Sequence, residues 1–300
     1  MAKHPILEIK KLHKNYGKLT AVNQLNLTIE EGVIFGLLGP NGSGKTTTLG
    51  MILGVINSTS GSYNWFGKGN NASLRQKIGA ILEQPIFYPY MSAIQNLEIT
   101  CMIKNVDKNS ISQILETVGL FERRNDSFKT FSLGMKQRLA IGAALIGNPK
   151  VLILDEPTNG LDPQGIVQIR TLIKEIADSG KTIILASHLL DEVQKVCSHF
   201  CILNHGNLIY QGVVKDDFSD GVTIRLGSTN NDQMVKVLQN FLTIDSINVV
   251  DELIEIKIEE LISAEKINTH LFENNIVLNH LSIVEKTLED QFLEILNSNK

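Results

Sequence analysis

Cysteine is scarce in this 300-residue chain, at Cys101, Cys197 and Cys201. A sparse, odd set of thiols argues against a disulfide framework and fits a reducing compartment. Positive charge is not in excess: 28 basic residues face 32 acidic ones, for a net charge of −4. That balance argues against a nucleic-acid binder, which usually carries a basic face. Long apolar runs are missing too. The longest, counting glycines, covers residues 139–147, whereas a membrane span needs about 20 predominantly apolar residues. The opening MAKHPILEIKKLHKNYG has no apolar core of the signal-peptide kind. What is present is ordinary for a globular chain: 43% hydrophobic and 20% charged residues, values that exclude wholesale disorder. The length suits two domains.

Residues 6–10 (ILEIK) and 25–29 (LNLTI) read as short strands. GVIFGLL, residues 32–38, is a compact apolar run of the buried-strand kind, and a helix follows over 46–56. Residues 92–146 are helical in character, with Ile94, Leu97 and Cys101, then Ile111, Ile114, Leu115 and Val118, at spacings of three and four. VLIL (151–154) and TIILA (182–186) read as buried strands flanking a helix over 165–178. Such alternation implies a mainly parallel sheet covered by helices. The texture changes near 213–221. Beyond it, strands at 222–226, 246–250, 253–258 and 276–284 interleave with helices at 232–242, 260–272 and 287–296. That βαββαβα order is compatible with a small ferredoxin-like module.

Gly39-Pro40-Asn41-Gly42-Ser43-Gly44-Lys45-Thr46 satisfies G-x-x-x-x-G-K-[ST] between a strand and a helix. Glycines let the backbone wrap phosphate oxygens, and the helix N-terminus offers free N–H groups and partial positive charge. Lys45 reaches β- and γ-phosphates, Thr46 is a Mg²⁺ ligand, and Thr47 donates to an α-phosphate oxygen. The apolar strand 151–154 leads into Asp155, a rigidly held carboxylate for the metal. Strand alternation turns the next residue, Glu156, away from the metal and toward an attacking water, which makes it the candidate general base.

With both elements in place, residues 5–215 resemble an ATP-binding subunit of an ABC transporter. The resemblance implies an ABC-type α/β P-loop NTPase domain over 1–213, with a parallel core sheet, an antiparallel β arm and a helical subdomain at about 85–146. Residues 214–300 become a small α+β accessory domain. ATP and Mg²⁺ are the implied cofactors. Tyr16 matches the aromatic that stacks on adenine, and Gln84, in ILEQP, matches the glutamine that senses Mg²⁺ and the attacking water. FSLGMKQR, residues 131–138, stands where the family has LSGGQ. Ser132 and Gly134 are retained to meet a γ-phosphate at a helix N-terminus. Leu133 and Met135 depart from the pattern. Asp162, in Gly160-Leu161-Asp162, matches the D-loop, and His188 matches the histidine that contacts the γ-phosphate and positions Glu156 and water.

The resemblance further implies head-to-tail pairing, and with one phosphate loop in this chain that requires a second copy or a homologous chain. It also implies a separate multi-span permease for the membrane half, with this chain peripheral on the cytoplasmic face. SLGMKQR and the C-terminal LEDQFL resemble subunits of bacitracin and lantibiotic exporters. Two rival readings remain: an ABC ATPase acting on nucleic acid or ribosomes, and a regulatory module that binds nucleotide without turnover. Direct nucleic-acid binding is not expected. Cys197, His199, Cys201 and His205 lie within nine residues, but C-x-H-x-C-x3-H matches no usual Cys/His metal spacing. Trp65 and Phe66 are expected to pack in the β arm.

Overall fold

The computed structural model describes residues 5–82, 86–214, 222–242, 244–250, 253–258 and 262–285. The chain divides into two compact units, Met1–Val214 and Lys215–Lys300.

The first unit opens with β1 (Pro5–Tyr16) and β2 (Leu19–Glu30), antiparallel and joined at Gly17 and Lys18. Both strands run well past the expected 6–10 and 25–29. Their outer halves bury only Leu12 and Val22, too few apolar positions for an alternation to mark them in the sequence. β3 (Ile34–Leu38) feeds the phosphate loop and α1 (Lys45–Ile52). α1 stops short of the expected residue 56 because the N–H groups of residues 54–56 fold back onto the Met51 and Gly50 carbonyls. β4 (Ser60–Trp65) pairs with β1 and completes an arm in the order β2-β1-β4. Trp65 is fully buried there, and its Nε1–H donates to the Ile52 carbonyl at 2.8 Å.

α2 (Ala72–Arg75) and β5 (Ile78–Ile81) precede a helical segment of α3 (Ala93–Lys104), α4 (Ile111–Thr117) and α5 (Leu133–Leu145). A capping box of Ser92 and Gln95 starts α3, and Asn105 at φ +52° ends it. Then come β6 (Val151–Asp155), α6 (Pro163–Asp178), β7 (Thr182–Ser187), α7 (Leu190–Val196), β8 (His199–Asn204) and β9 (Asn207–Val213). The core sheet has the order β5-β6-β7-β3-β8-β9. Its first five strands are parallel, and β9 is antiparallel to β8. Every residue of β6 and β7 is buried. Strands covered on both faces read as unbroken apolar runs, which is why these two are so plain in the sequence. The parallel core, antiparallel arm and helical segment are those the resemblance implies.

The second unit contains β10 (Val222–Ser228), α8 (Asn231–Gln239), β11 (Ile244–Val250), β12 (Leu253–Ile258), α9 (Ala264–Glu273) and β13 (Leu278–Glu285). Its strands form one sheet, β11-β12-β10-β13, antiparallel at each pairing. Met234 and Leu238 of α8 and Ile267 and Leu271 of α9 share a core with Ile224, Leu226 and Ile256. The expected helix over 287–296, with its LEDQFL segment, lies outside the described residues. No helix among those described is long and apolar enough to cross a membrane.

Candidate functional site

The C-terminal ends of β3, β6 and β7 meet at one edge of the core sheet, the edge where parallel α/β sheets form their crevices. Gly39 follows β3, its N–H donating to the Ser187 carbonyl at 3.3 Å. Ser43 N–H donates to the Pro40 carbonyl, and the Gly206 N–H donates to the Ser43 carbonyl, so the loop is braced by the β8–β9 turn. Gly44 caps α1 at φ +104°, and a Cβ there would stand 2.5 Å from the Ala21 carbonyl oxygen. Only glycine meets both demands.

Tyr16, Asn41, Gly42, Ser43, Gly44, Lys45, Thr46 and Thr47 line one cleft of about 420 Å³ that Glu156 also enters. Tyr16 is half exposed, with the Lys14 ammonium 4.8 Å from its ring centroid. Lys45 is buried and donates to the Gly39 carbonyl at 2.7 Å and the Pro40 carbonyl at 3.3 Å. Its Nζ also lies 3.4 Å from Glu156 Oε1. Thr46 Oγ1 donates to Oδ2 of the buried Asp155 at 2.8 Å. Two hard oxygen donors thus converge beside the phosphate loop, a set that suits a small divalent cation.

Glu156 does not occupy the strand position that alternation assumes. β6 ends at Asp155, and Glu156 turns out of it at φ +48°. Its N–H donates to the Ala186 carbonyl at 2.9 Å. A left-handed turn, costly for a non-glycine residue, therefore separates the two carboxylates. Glu156 Oε2 lies 2.8 Å from His188 Nδ1. A carboxylate only accepts, so the hydrogen sits on Nδ1 and Nε2 is left for a ligand.

Ser132, Gly134 and Asp162 are brought together elsewhere, in a second cleft of about 390 Å³ that shares no lining residue with the first. Ser132 caps α5, its Oγ accepting from the Met135 N–H at 3.3 Å. Asp162 caps α6, accepting from the Gly165 N–H at 2.9 Å ahead of Pro163. Leu133 packs toward Gly160, its Cδ2 3.3 Å from where a Gly160 Cβ would stand. Gln84 lies outside the described residues.

Among the described residues, no group of three or more His, Cys, Asp or Glu is placed to hold a metal ion. Complete burial pushes the Cys197 and Cys201 thiols far up, so both persist as thiols. Sequence reading misses Ser187 and Glu192, which stand directly behind His188. Both are buried, and the hydroxyl donates to Glu192 Oε2 at 2.6 Å. No sequence signal marks them, because Asp191, Glu192 and Lys195 together look like a solvated helix face.

The profile of the family described as "ABC transporter" matches residues 22–159. The "Uncharacterized ABC transporter ATP-binding protein YhcH" of Bacillus subtilis (strain 168) is 37% identical over 301 residues, covering 98% of this chain and 97% of the relative. The "Bacitracin transport ATP-binding protein BcrA" of Bacillus licheniformis is 38% identical over 299 residues, covering 97% of each. Among solved structures, cbiO1 of Clostridium perfringens, described as part of the ABC transporter complex cbiONQ, is similar with a TM-score of 0.66. It is 28% identical, and the match covers 78% of this chain and 95% of that one.

Proposed function

The chain belongs to the ABC transporter ATP-binding proteins, and on that footing we propose that it hydrolyses ATP to drive export through a separate multi-span permease. The observation that carries this reading is Glu156, held 2.8 Å from His188 and 3.4 Å from Lys45 at the mouth of the phosphate loop. Tyr16 stacks on adenine. Gly39, Pro40, Asn41, Gly42, Ser43 and Gly44 cradle the phosphates, with Lys45 on the β- and γ-phosphates and Thr47 on the α-phosphate. Thr46 and Asp155 hold Mg²⁺, joined by Gln84. When bound, the ion neutralises charge developing on the phosphate oxygens. Glu156 takes the proton of the attacking water. His188 orients Glu156 through Nδ1 and turns Nε2 to the γ-phosphate.

Ser132, Gly134 and Asp162 serve the nucleotide of a second copy of this chain. Two disjoint clefts on one unit support that reading. Head-to-tail pairing about a twofold axis lays each phosphate loop against its partner's α5 N-terminus. The permease places the chain at the cytoplasmic face of the membrane. The bacitracin-transport relative supports a peptide antibiotic as the exported cargo. We read the boundary between the ATPase domain and the accessory domain at 213–214. The β-α-β-β-α-β order and the sheet β11-β12-β10-β13 support a ferredoxin-like second domain.

Light scattering of Glu156→Gln with and without Mg·ATP tests the pairing. This variant binds ATP but turns it over slowly, so it is expected to double its mass only with nucleotide. Lys45→Ala is expected to stay single under the same conditions. A Glu156→Gln chain that remains single at saturating ATP refutes the pairing.

A further inference from the structure

Glu192 lies on α7, only 1% exposed, although nothing about packing there calls for a carboxyl group. Burying a carboxyl costs free energy that an apolar side chain of similar size does not. Its Oε1 is buried with no hydrogen-bond partner. Its Oε2 accepts from Ser187 Oγ at 2.6 Å. That same hydroxyl accepts from the Leu189 N–H at 3.0 Å. Ser187 is itself fully buried, and its carbonyl accepts from the Gly39 N–H.

His188 therefore sits between two residues tied to one hydroxyl, and Glu192 is what fixes the direction of that hydroxyl. A free serine hydroxyl rotates to suit its neighbours. Locked onto Glu192, it presents a lone pair to the Leu189 N–H and closes the turn around His188. The turn then aims Nδ1 at Glu156 Oε2, 2.8 Å away. Arg170 of α6 faces the same region and pairs with Asp191 at 2.9 Å, which ties α7 to α6.

We propose that Glu192 is a positioning residue for His188, acting through the Ser187 hydroxyl to hold the imidazole on Glu156. This inference rests on the hydrolytic reading of Glu156 and His188 and assigns that site a buried support. Glu192 lines neither of the two clefts.

The test compares Glu192→Ala, Glu192→Gln and Ser187→Ala in the full chain. Glutamine keeps an acceptor for Ser187, and alanine does not. Glu192→Ala and Ser187→Ala are each expected to lower kcat for ATP by about 10- to 100-fold through misplacement of His188. KM for ATP is expected to stay unchanged, as for an interaction used after binding. Glu192→Gln is expected to restore kcat, and the double alanine variant to be no worse than either single one. The second readout is the His188 ring ¹⁵N spectrum, taken without nucleotide. Both alanine variants are expected to move these signals, and Glu192→Gln to leave them in place.

Wild-type kcat in Glu192→Ala, or a Glu192→Gln as impaired as the alanine, overturns the proposal. Unmoved ring signals in the alanine variants do the same. Should Glu192→Ala not fold, Ser187→Ala decides alone, since it removes one oxygen atom. If Glu156→Gln hydrolyses ATP like the wild type, the hydrolytic reading fails, and the ring signals still judge the contact between Glu192 and His188.

Discussion

Glu156 is pulled in two directions, toward the Lys45 ammonium and toward the His188 ring. Behind His188, burial pushes the Glu192 carboxyl up. The Ser187 hydrogen bond, Arg170 and His188 oppose that shift, and Glu156 adds to it. The folded chain thus keeps the Glu192 proton to higher pH than the unfolded chain does. The resulting stabilisation is complete below the ordinary value of 4.5. It is lost as pH rises through the raised folded value. Glu192→Gln does not titrate. Its melting temperature relative to wild type is therefore expected to climb as pH rises from 4.5 through the raised folded value, and to level off above it. A pH-independent difference contradicts this. At this scale the phosphate loop was fully legible, because a contiguous motif carries its own geometry. Glu156 was found for a reason that needed correction: its direction comes from a left-handed turn, not from strand alternation. Glu192 stayed hidden because one sequence contains nothing that separates a buried carboxyl from a solvated one.

At the scale of elements, the sheet and the helical segment meet at close quarters. Gly79 of β5 lies under α5, where an added Cβ would stand 2.1 Å from the Ala144 carbonyl oxygen. Gly79→Ala forces strand and helix apart. The expected cost is about 1–3 kcal/mol, the usual penalty for overpacking, measurable by denaturant unfolding. A loss below about 0.5 kcal/mol, as at ordinary surface sites, contradicts so tight a fit. Legibility here follows burial. β6 and β7, covered on both faces, could be located to within a residue or so. The outer halves of β1 and β2 were lost because they bury only Leu12 and Val22, too few apolar positions to show an alternation. The helical segment was recognised as a whole, but its breaks were not. Asn105 in the left-handed region ends α3, and the short turns before α5 close through local backbone hydrogen bonds rather than by apolar period.

At the scale of the whole molecule, the two clefts carry the main consequence. One holds Lys45, Thr46 and Glu156; the other holds Ser132, Gly134 and Asp162. They share no lining residue on one unit, and the proposed pairing brings them together between two copies. This division was foreseen from the order of motifs along the chain, whereas Leu133 against Gly160 was not. That approach sets the α5 N-terminus beside the turn before α6. Among the described residues no helix is long and apolar enough to cross a membrane, and the proposed function assigns the path across the bilayer to a separate permease. On the proposed mechanism, hydrolysis depends on Glu156. Steady-state ATP turnover by the purified chain, wild type against Glu156→Gln, tests it most directly. The expected result is a kcat lower by about 10²- to 10⁴-fold, the usual contribution of a positioned general base, with ATP binding retained. Equal turnover by the two proteins would contradict the account.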